Sequence, residues 1–322
     1  LIQSFRAILS VVILLLCLTS DVSSQTALEN FKQTKILDFG WGEGSNEMGF
    51  FKEQGGFLYG PNSFDVDRYG LIYILDSVNK RVSVFTQDGS NVRTFPVETT
   101  GLISFIEIDE LRNVWINDAE KYRIIKYSHT GDFQHRIIYG LGKRGVKEPY
   151  ITIRDSEIFL VMSKIEIGNE IKNSKIYEGT TYQAKRIKLP MNQRGRLVGK
   201  ISGSYYNTIN IEDKIPKIII YDKDGLIKDI TFLEIDPTHS VVFLSEDNYG
   251  NIYFKLTSPI KNTTQIWKYS SDLTFMAKID YVQDYMNNQF SVMNDLVIDG
   301  AGDIYFLLLK ESGVQVIKWS VQ

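Results

Sequence analysis

Four times the chain writes an acidic residue, a short turn and an aliphatic–aromatic pair that opens an apolar run. The copies are Asp67-Arg68-Tyr69-Gly70-Leu71-Ile72-Tyr73, Asp109-Glu110-Leu111-Arg112-Asn113-Val114-Trp115, Asp247-Asn248-Tyr249-Gly250-Asn251-Ile252-Tyr253 and Asp299-Gly300-Ala301-Gly302-Asp303-Ile304-Tyr305. Each reads as a tight turn feeding a buried strand. Around the first copy the pattern predicts strands over 71–75, 82–85 and 92–97, with a hairpin turn at Gln87-Asp88-Gly89-Ser90. The second repeats this order, with strands over 114–116, 124–127 and 133–138 and a turn at His129-Thr130-Gly131-Asp132. A degenerate third unit offers 151–153 and 158–162, and a fourth, over 195–233, is carried by Lys217-Ile218-Ile219-Ile220-Tyr221. The fifth and sixth are clear again, at 241–281 and 296–319.

The first two copies lie 42 residues apart, close to the length of one four-stranded propeller blade. The pattern therefore predicts an all-β fold, a six-bladed β-propeller. The sixth unit stops without room for an outer strand, and Lys35-Ile36-Leu37-Asp38-Phe39 is the candidate to complete it from the N-terminal end. Such an exchange removes an exposed sheet edge.

The leading segment changes the picture. Arg6 precedes an apolar run from Ala7 to Leu18, and Val22-Ser23-Ser24 offers small residues before Gln25. This is the form of a secretory signal peptide over 1–24, leaving 25–322 as a single propeller domain. Twelve helical residues reach about 18 Å, short of the roughly 30 Å of a bilayer core, so no stable membrane span is expected in the mature chain. The expected location is secreted or periplasmic, with a lipid or signal anchor as the weaker reading. The single cysteine, Cys17, lies in this leader, so the mature domain carries no disulfide. A net charge of −3 lacks the basic excess of a general nucleic-acid binder.

Phe39-Gly40-Trp41-Gly42-Glu43-Gly44, running on through Gly49-Phe50-Phe51 to Pro61 and Phe64-Asp65-Val66-Asp67, resembles the linker between NHL repeats. It leads into Gly70 to Phe85, which is similar to that family's strand, its Asp-Ser/Thr-x-Asn-x-Arg motif (Asp76, Asn79, Arg81) and its second strand. The second repeat keeps Asp118 and Arg123 at the same spacing, with Lys121 where the Asn would stand. The resemblance implies a six-bladed fold in which these three residues form a short polar network satisfying buried backbone groups in a turn.

Related six-bladed propellers include enzymes: gluconolactonase-like hydrolases that hold a divalent metal with Glu, Asn and Asp, and lyases that depend on histidines. The histidines here are His129 in a hairpin turn, His135 in an outer strand and His239 before a strand, which disfavours a histidine-based lyase. Oxygen ligands for a hard cation are available in Glu107, Asp109, Asp247, Asn248, Asn294, Asp295 and Asp299. The turn acids recur in every clear repeat, which assigns them to the turn; Asn294-Asp295 stands outside the phrase. A divalent cation is expected only under the hydrolase alternative.

One asymmetric feature remains. Lys185, Arg186, Lys188, Arg194, Arg196 and Lys200 fall in one stretch without an acid, and Lys143, Arg144 and Lys147 form a second cluster upstream. Both sit where the repeat pattern decays, and together they are the candidate contact for an anionic glycan, a lipid headgroup or an acidic protein face. Asn262-Thr263-Thr264 fits an N-glycosylation acceptor. The reading that follows is an exported NHL-like propeller acting as a non-catalytic protein- or glycan-binding module, with a gluconolactonase-like metal-dependent hydrolase as the alternative.

The leader makes a first prediction. N-terminal sequencing of the exported protein should find Gln25 first; a start before Ala7, in the membrane fraction, would mean an uncleaved anchor.

Overall fold

A computed structural model describes residues 30–54, 56, 58–101, 103–121, 123–138, 150–154, 157–161, 196–201, 204–209, 217–221, 227–232, 240–258, 263–281, 292 and 294–322. All regular structure among them is β. The chain enters through β1 (Phe31–Trp41) and three two-residue strands, β2 (Glu47–Met48), β3 (Phe51–Lys52) and β4 (Leu58–Tyr59). The first four-stranded sheet is then β5 (Ser63–Val66), β6 (Ile72–Asp76), β7 (Arg81–Phe85) and β8 (Asn91–Pro96). The second is β9 (Ile103–Ile108), β10 (Val114–Asp118), β11 (Arg123–Tyr127) and β12 (Phe133–Ile138). A two-stranded ladder, β13 (Tyr150–Arg154) and β14 (Glu157–Val161), follows. Next come the sheet β15 (Arg196–Ile201), β16 (Ser204–Ile209), β17 (Lys217–Tyr221), β18 (Ile227–Phe232) and the sheet β19 (Ser240–Glu246), β20 (Ile252–Ser258), β21 (Thr263–Tyr269), β22 (Phe275–Tyr281). The last sheet holds β23 (Leu296–Ile298), β24 (Ile304–Lys310) and β25 (Gly313–Val321), beside which β1 lies antiparallel, with Phe31 opposite Val321 and Phe39 opposite Val314.

The near-continuous apolar runs have a physical reason. Successive side chains of a strand point to opposite faces, so a strand buried on both faces has no polar alternation. In β6, Ile72 and Ile74 pack with Phe39, Tyr305, Leu307 and Val316 of the last sheet. Their neighbours Tyr73 and Leu75 pack the other way, with Ile106, Ile116 and Ile125 of the second sheet. β24 divides likewise: Tyr305, Leu307 and Leu309 face the first sheet, and Ile304, Phe306 and Leu308 join Tyr253, Ile266 and Ile279 of the sheet before. The core is thus a set of layers between sheets that stand face to face.

The opening strand of each sheet touches that of the next, and β23 touches β5, so the two ends of the repeated region meet. Asn294 bridges to Ser63, and its Nδ2 donates to the Phe64 carbonyl at 3.1 Å. All-β sheets packed in this manner make the molecule propeller-like.

The long ladder between β1 and β25 predicts that deleting residues 25–40 sharply lowers the melting temperature, because it bares β25 and removes Leu37 and Phe39 from a core layer. An unchanged melting temperature would refute the role given to this strand.

Candidate functional site

The repeated phrase is explained by one geometry. In each copy the aspartate's Oδ1 accepts backbone N–H groups of its own turn, from Tyr69 and Leu71 for Asp67, from Asn113 for Asp109, from Tyr249 and Asn251 for Asp247, and from Ala301 and Asp303 for Asp299. Its Oδ2 accepts from the polar tip of the aromatic six residues on. Tyr73 OH lies 3.2 Å from Asp67, Trp115 Nε1 2.9 Å from Asp109, Tyr253 OH 2.9 Å from Asp247 and Tyr305 OH 3.0 Å from Asp299. The acid satisfies the turn and lets a large aromatic be buried with its one polar atom paired. Burial pushes the Asp299 carboxyl above the usual carboxylate range, against the downward pull of Tyr305, and holds the Tyr73 and Tyr305 phenols up.

The same turns join neighbouring sheets. The Asn248 N–H donates to Gly300 O at 2.9 Å, and Tyr305 OH accepts from Gln87 Nε2 at 3.0 Å. Between the first and second sheets the link is Arg112, whose Nε lies 2.8 Å from Asp67 Oδ2. The fourth turn position has positive φ throughout: 78° at Gly70, 64° at Arg112, 80° at Gly250 and 85° at Gly302. Arginine there accepts a backbone conformation that glycine adopts freely. In return its guanidinium reaches a carboxylate on the adjacent sheet.

At the opposite strand ends a second motif grips the connectors. Asp76 is fully buried and receives Arg81 Nε at 3.0 Å, Asn79 Nδ2 at 2.9 Å and the Gly49 N–H at 3.1 Å. Arg81 then forks onto the carbonyls of Glu43, Gly44 and Glu47 at 2.7–2.9 Å, and Asn79 donates to that of Gly42. Gly49 is required by contact, since a Cβ there would sit 2.6 Å from Val78 and 2.8 Å from the Asp76 carboxylate. Asp118 and Arg123 repeat the device at 2.8 Å, with Arg123 donating to Glu98 O and Thr99 Oγ1 donating to Asp118. These residues hold the connectors entering the first and second sheets.

Of the acids and histidines singled out in the sequence, Glu107 is buried in β9, opposite Trp115. Asp295 pairs with Lys255 Nζ at 3.1 Å and Asn294 holds the β5 backbone, so this pair ties the last sheet to its neighbours. His129 is exposed in its turn, and His135 packs edge-on against Trp115, its imidazole held below the usual range by burial and by Lys126. No group of three or more His, Cys, Asp or Glu placed to hold a metal occurs among the described residues. Lys143, Arg144, Lys147, Lys185, Arg186, Lys188 and Arg194, like His239 and Asn262, lie outside the described residues. Arg196 and Lys200 fall in β15, opposite Thr208 and Tyr205.

What the sequence reading missed is on the face of the aspartate turns. Tyr69, Leu111 and Tyr249, each third in its phrase, are 63%, 68% and 75% exposed. Arg68 and Arg112 lie over the Tyr69 ring, and Arg93, from an outer strand, lies over the Tyr73 ring, whose hydroxyl Arg112 also reaches. The available signal was Arg112, standing where the other three copies have glycine.

No family model matches the chain, and no curated protein matches it. Among solved structures, a member of the DUF4221 family from Bacteroides vulgatus aligns over 90% of this chain and 99% of its own, at 9% identity and a TM-score of 0.50. A streptogramin B lyase aligns over 91% and 98%, at 15% identity and 0.48. A luciferin-regenerating enzyme aligns over 81% and 91%, at 12% identity and 0.43. At 9% identity the likeness to the DUF4221 structure concerns the fold alone.

The clamp geometry predicts that Arg81→Ala costs about 1–3 kcal/mol in chemical denaturation, because the buried Asp76 carboxylate loses its cationic donor. Arg81→Lys should recover little, since an ammonium cannot fork onto three carbonyls and a carboxylate. A variant that unfolds like wild type would remove the structural role.

Proposed function

We propose that the chain is an exported six-bladed β-propeller of the NHL-like type that recognises an extracytoplasmic protein or an anionic glycan without catalysing a reaction. What supports six blades is the sequence of sheets from β5 to β25 and the contact between β23 and β5. Under this reading β1 is the outer strand of the last blade, and its pairing with β25 supports that role.

The observation that carries the recognition reading is the set of exposed side chains at equivalent turn positions, Tyr69, Leu111 and Tyr249, borne on turns whose acids are committed to holding them rigid. Contact groups on a scaffold that does not rearrange bind with little ordering cost. The basic residues Lys143, Arg144, Lys147, Lys185, Arg186, Lys188, Arg194, Arg196 and Lys200 are proposed to add electrostatic attraction.

The test is direct. Metal analysis of the purified mature protein should find no stoichiometric divalent ion, and lactone and ester substrates should not be turned over with or without added Mg²⁺, Ca²⁺ or Zn²⁺. One tightly held ion per chain together with lactone hydrolysis would replace recognition by the metal-dependent hydrolase.

A further inference from the structure

Where the first and second sheets meet, three guanidinium groups gather around two tyrosines. Arg93, on β8, donates from Nη2 to Tyr73 OH at 3.2 Å, and Arg112 reaches the same oxygen at 3.5 Å. Arg68 donates to Tyr69 OH at 2.9 Å. The guanidinium carbons of Arg68 and Arg112 lie 4.9 and 5.0 Å from the centre of the Tyr69 ring. Asp67 is the carboxylate bonded into this cluster, and it is spoken for by Arg112. Glu110 stands exposed on the neighbouring turn. Among the described residues, neither Arg68 nor Arg93 has a carboxylate partner, and the buried Nε of Arg93 has no acceptor.

Among the described residues, then, the guanidinium groups of Arg68 and Arg93 carry charge that no ion pair takes up. Guanidinium groups bind sulfate and carboxylate through paired N–H donors, and they do so best when held in place. Here the holding is visible: Tyr73 is fully buried and anchors Arg93, while Asp67 anchors Arg112. Beside Arg112 stands Tyr69, an aromatic residue 63% exposed and braced by the guanidinium groups of Arg68 and Arg112. An anion beside a ring-bearing apolar face is the chemistry of an acidic sugar, whose pyranose C–H groups pack on an aromatic ring while its charged substituent meets arginine. An acidic peptide would satisfy the arginines but leave the ring unused.

We propose that Arg68, Arg93 and Tyr69 form a docking site for a sulfated or carboxylated saccharide, with Arg112 as the residue that positions Tyr69 and lends its charge. The inference rests on the recognition reading and narrows it to one ligand class and one face.

The experiment is titration calorimetry of the mature protein with a sulfated uronate-containing tetrasaccharide, its desulfated and carboxyl-reduced counterpart, poly-aspartate and inorganic sulfate. The charged tetrasaccharide should bind best and bind more weakly as salt rises. The double variant Arg68→Ala/Arg93→Ala, which spares the Arg112–Asp67 link, should melt with wild type and lose about tenfold in affinity, the worth of roughly one charge-assisted contact. Tyr69→Ser should weaken the tetrasaccharide and leave inorganic sulfate unchanged. Equal binding of the neutral counterpart, tighter binding of poly-aspartate, or full affinity in the double variant would each overturn the site. If Arg194→Glu/Arg196→Glu abolishes binding while the double variant does not, the anionic-partner reading stands and this site falls. If no anion binds at all, both fall together.

Discussion

The structure depends on a carboxylate buried where strand turns into strand. Each aspartate of the repeated phrase gives one oxygen to the turn's N–H groups and the other to the hydroxyl or indole N–H of an aromatic six residues later. A carboxylate removed from water is costly unless its lone pairs are filled, and these are filled locally. The aromatic gains a place in the interior that its polar atom would otherwise forbid. Turn geometry and core packing are therefore decided by the same bond.

From that bond the layered core follows. Tyr73, Trp115, Tyr253 and Tyr305 are fully or almost fully buried, and in the first and last sheets the second strand is covered on both sides by neighbouring sheets. Stability then comes from interdigitation between sheets, and polar contacts at the strand ends set how the sheets meet. Asp67 with Arg112, Asn248 with Gly300 and Tyr305 with Gln87 do this on one face. Asp76 with Arg81 and Asp118 with Arg123 grip the connectors at the other.

This division of labour separates structural charge from available charge. The fully buried aspartates Asp76 and Asp118 each have an arginine, and the Asp295 carboxylate has Lys255. Arg68 and Arg93 have only tyrosine hydroxyls. The difference is chemical, because a neutral phenol orients a guanidinium without cancelling it. That is why these two groups, and not the more numerous paired ones, mark the face open to an anion.

Local sequence determined the strands, their turns and the all-β class, because side-chain alternation and turn chemistry act over a few residues. The resemblance to the NHL motif also marked Asp76, Asn79 and Arg81 as a unit on one turn. Only the tertiary structure decided what they hold: Arg81 and the carbonyls of Glu43, Gly44 and Glu47 lie more than thirty residues apart in the chain. The same holds for the arginine cluster. Arg68 and Arg112 stand in two copies of the turn phrase and Arg93 on an outer strand, and Arg112 reaches the tyrosines of the other two because the first and second sheets stack. Asn294-Asp295 stands outside the repeated phrase, and its partners Phe64 and Lys255 come from two other sheets. Periodicity reports which residues are buried; which buried or exposed groups face one another is set by the packing of distant strands, and sequence separation conceals it.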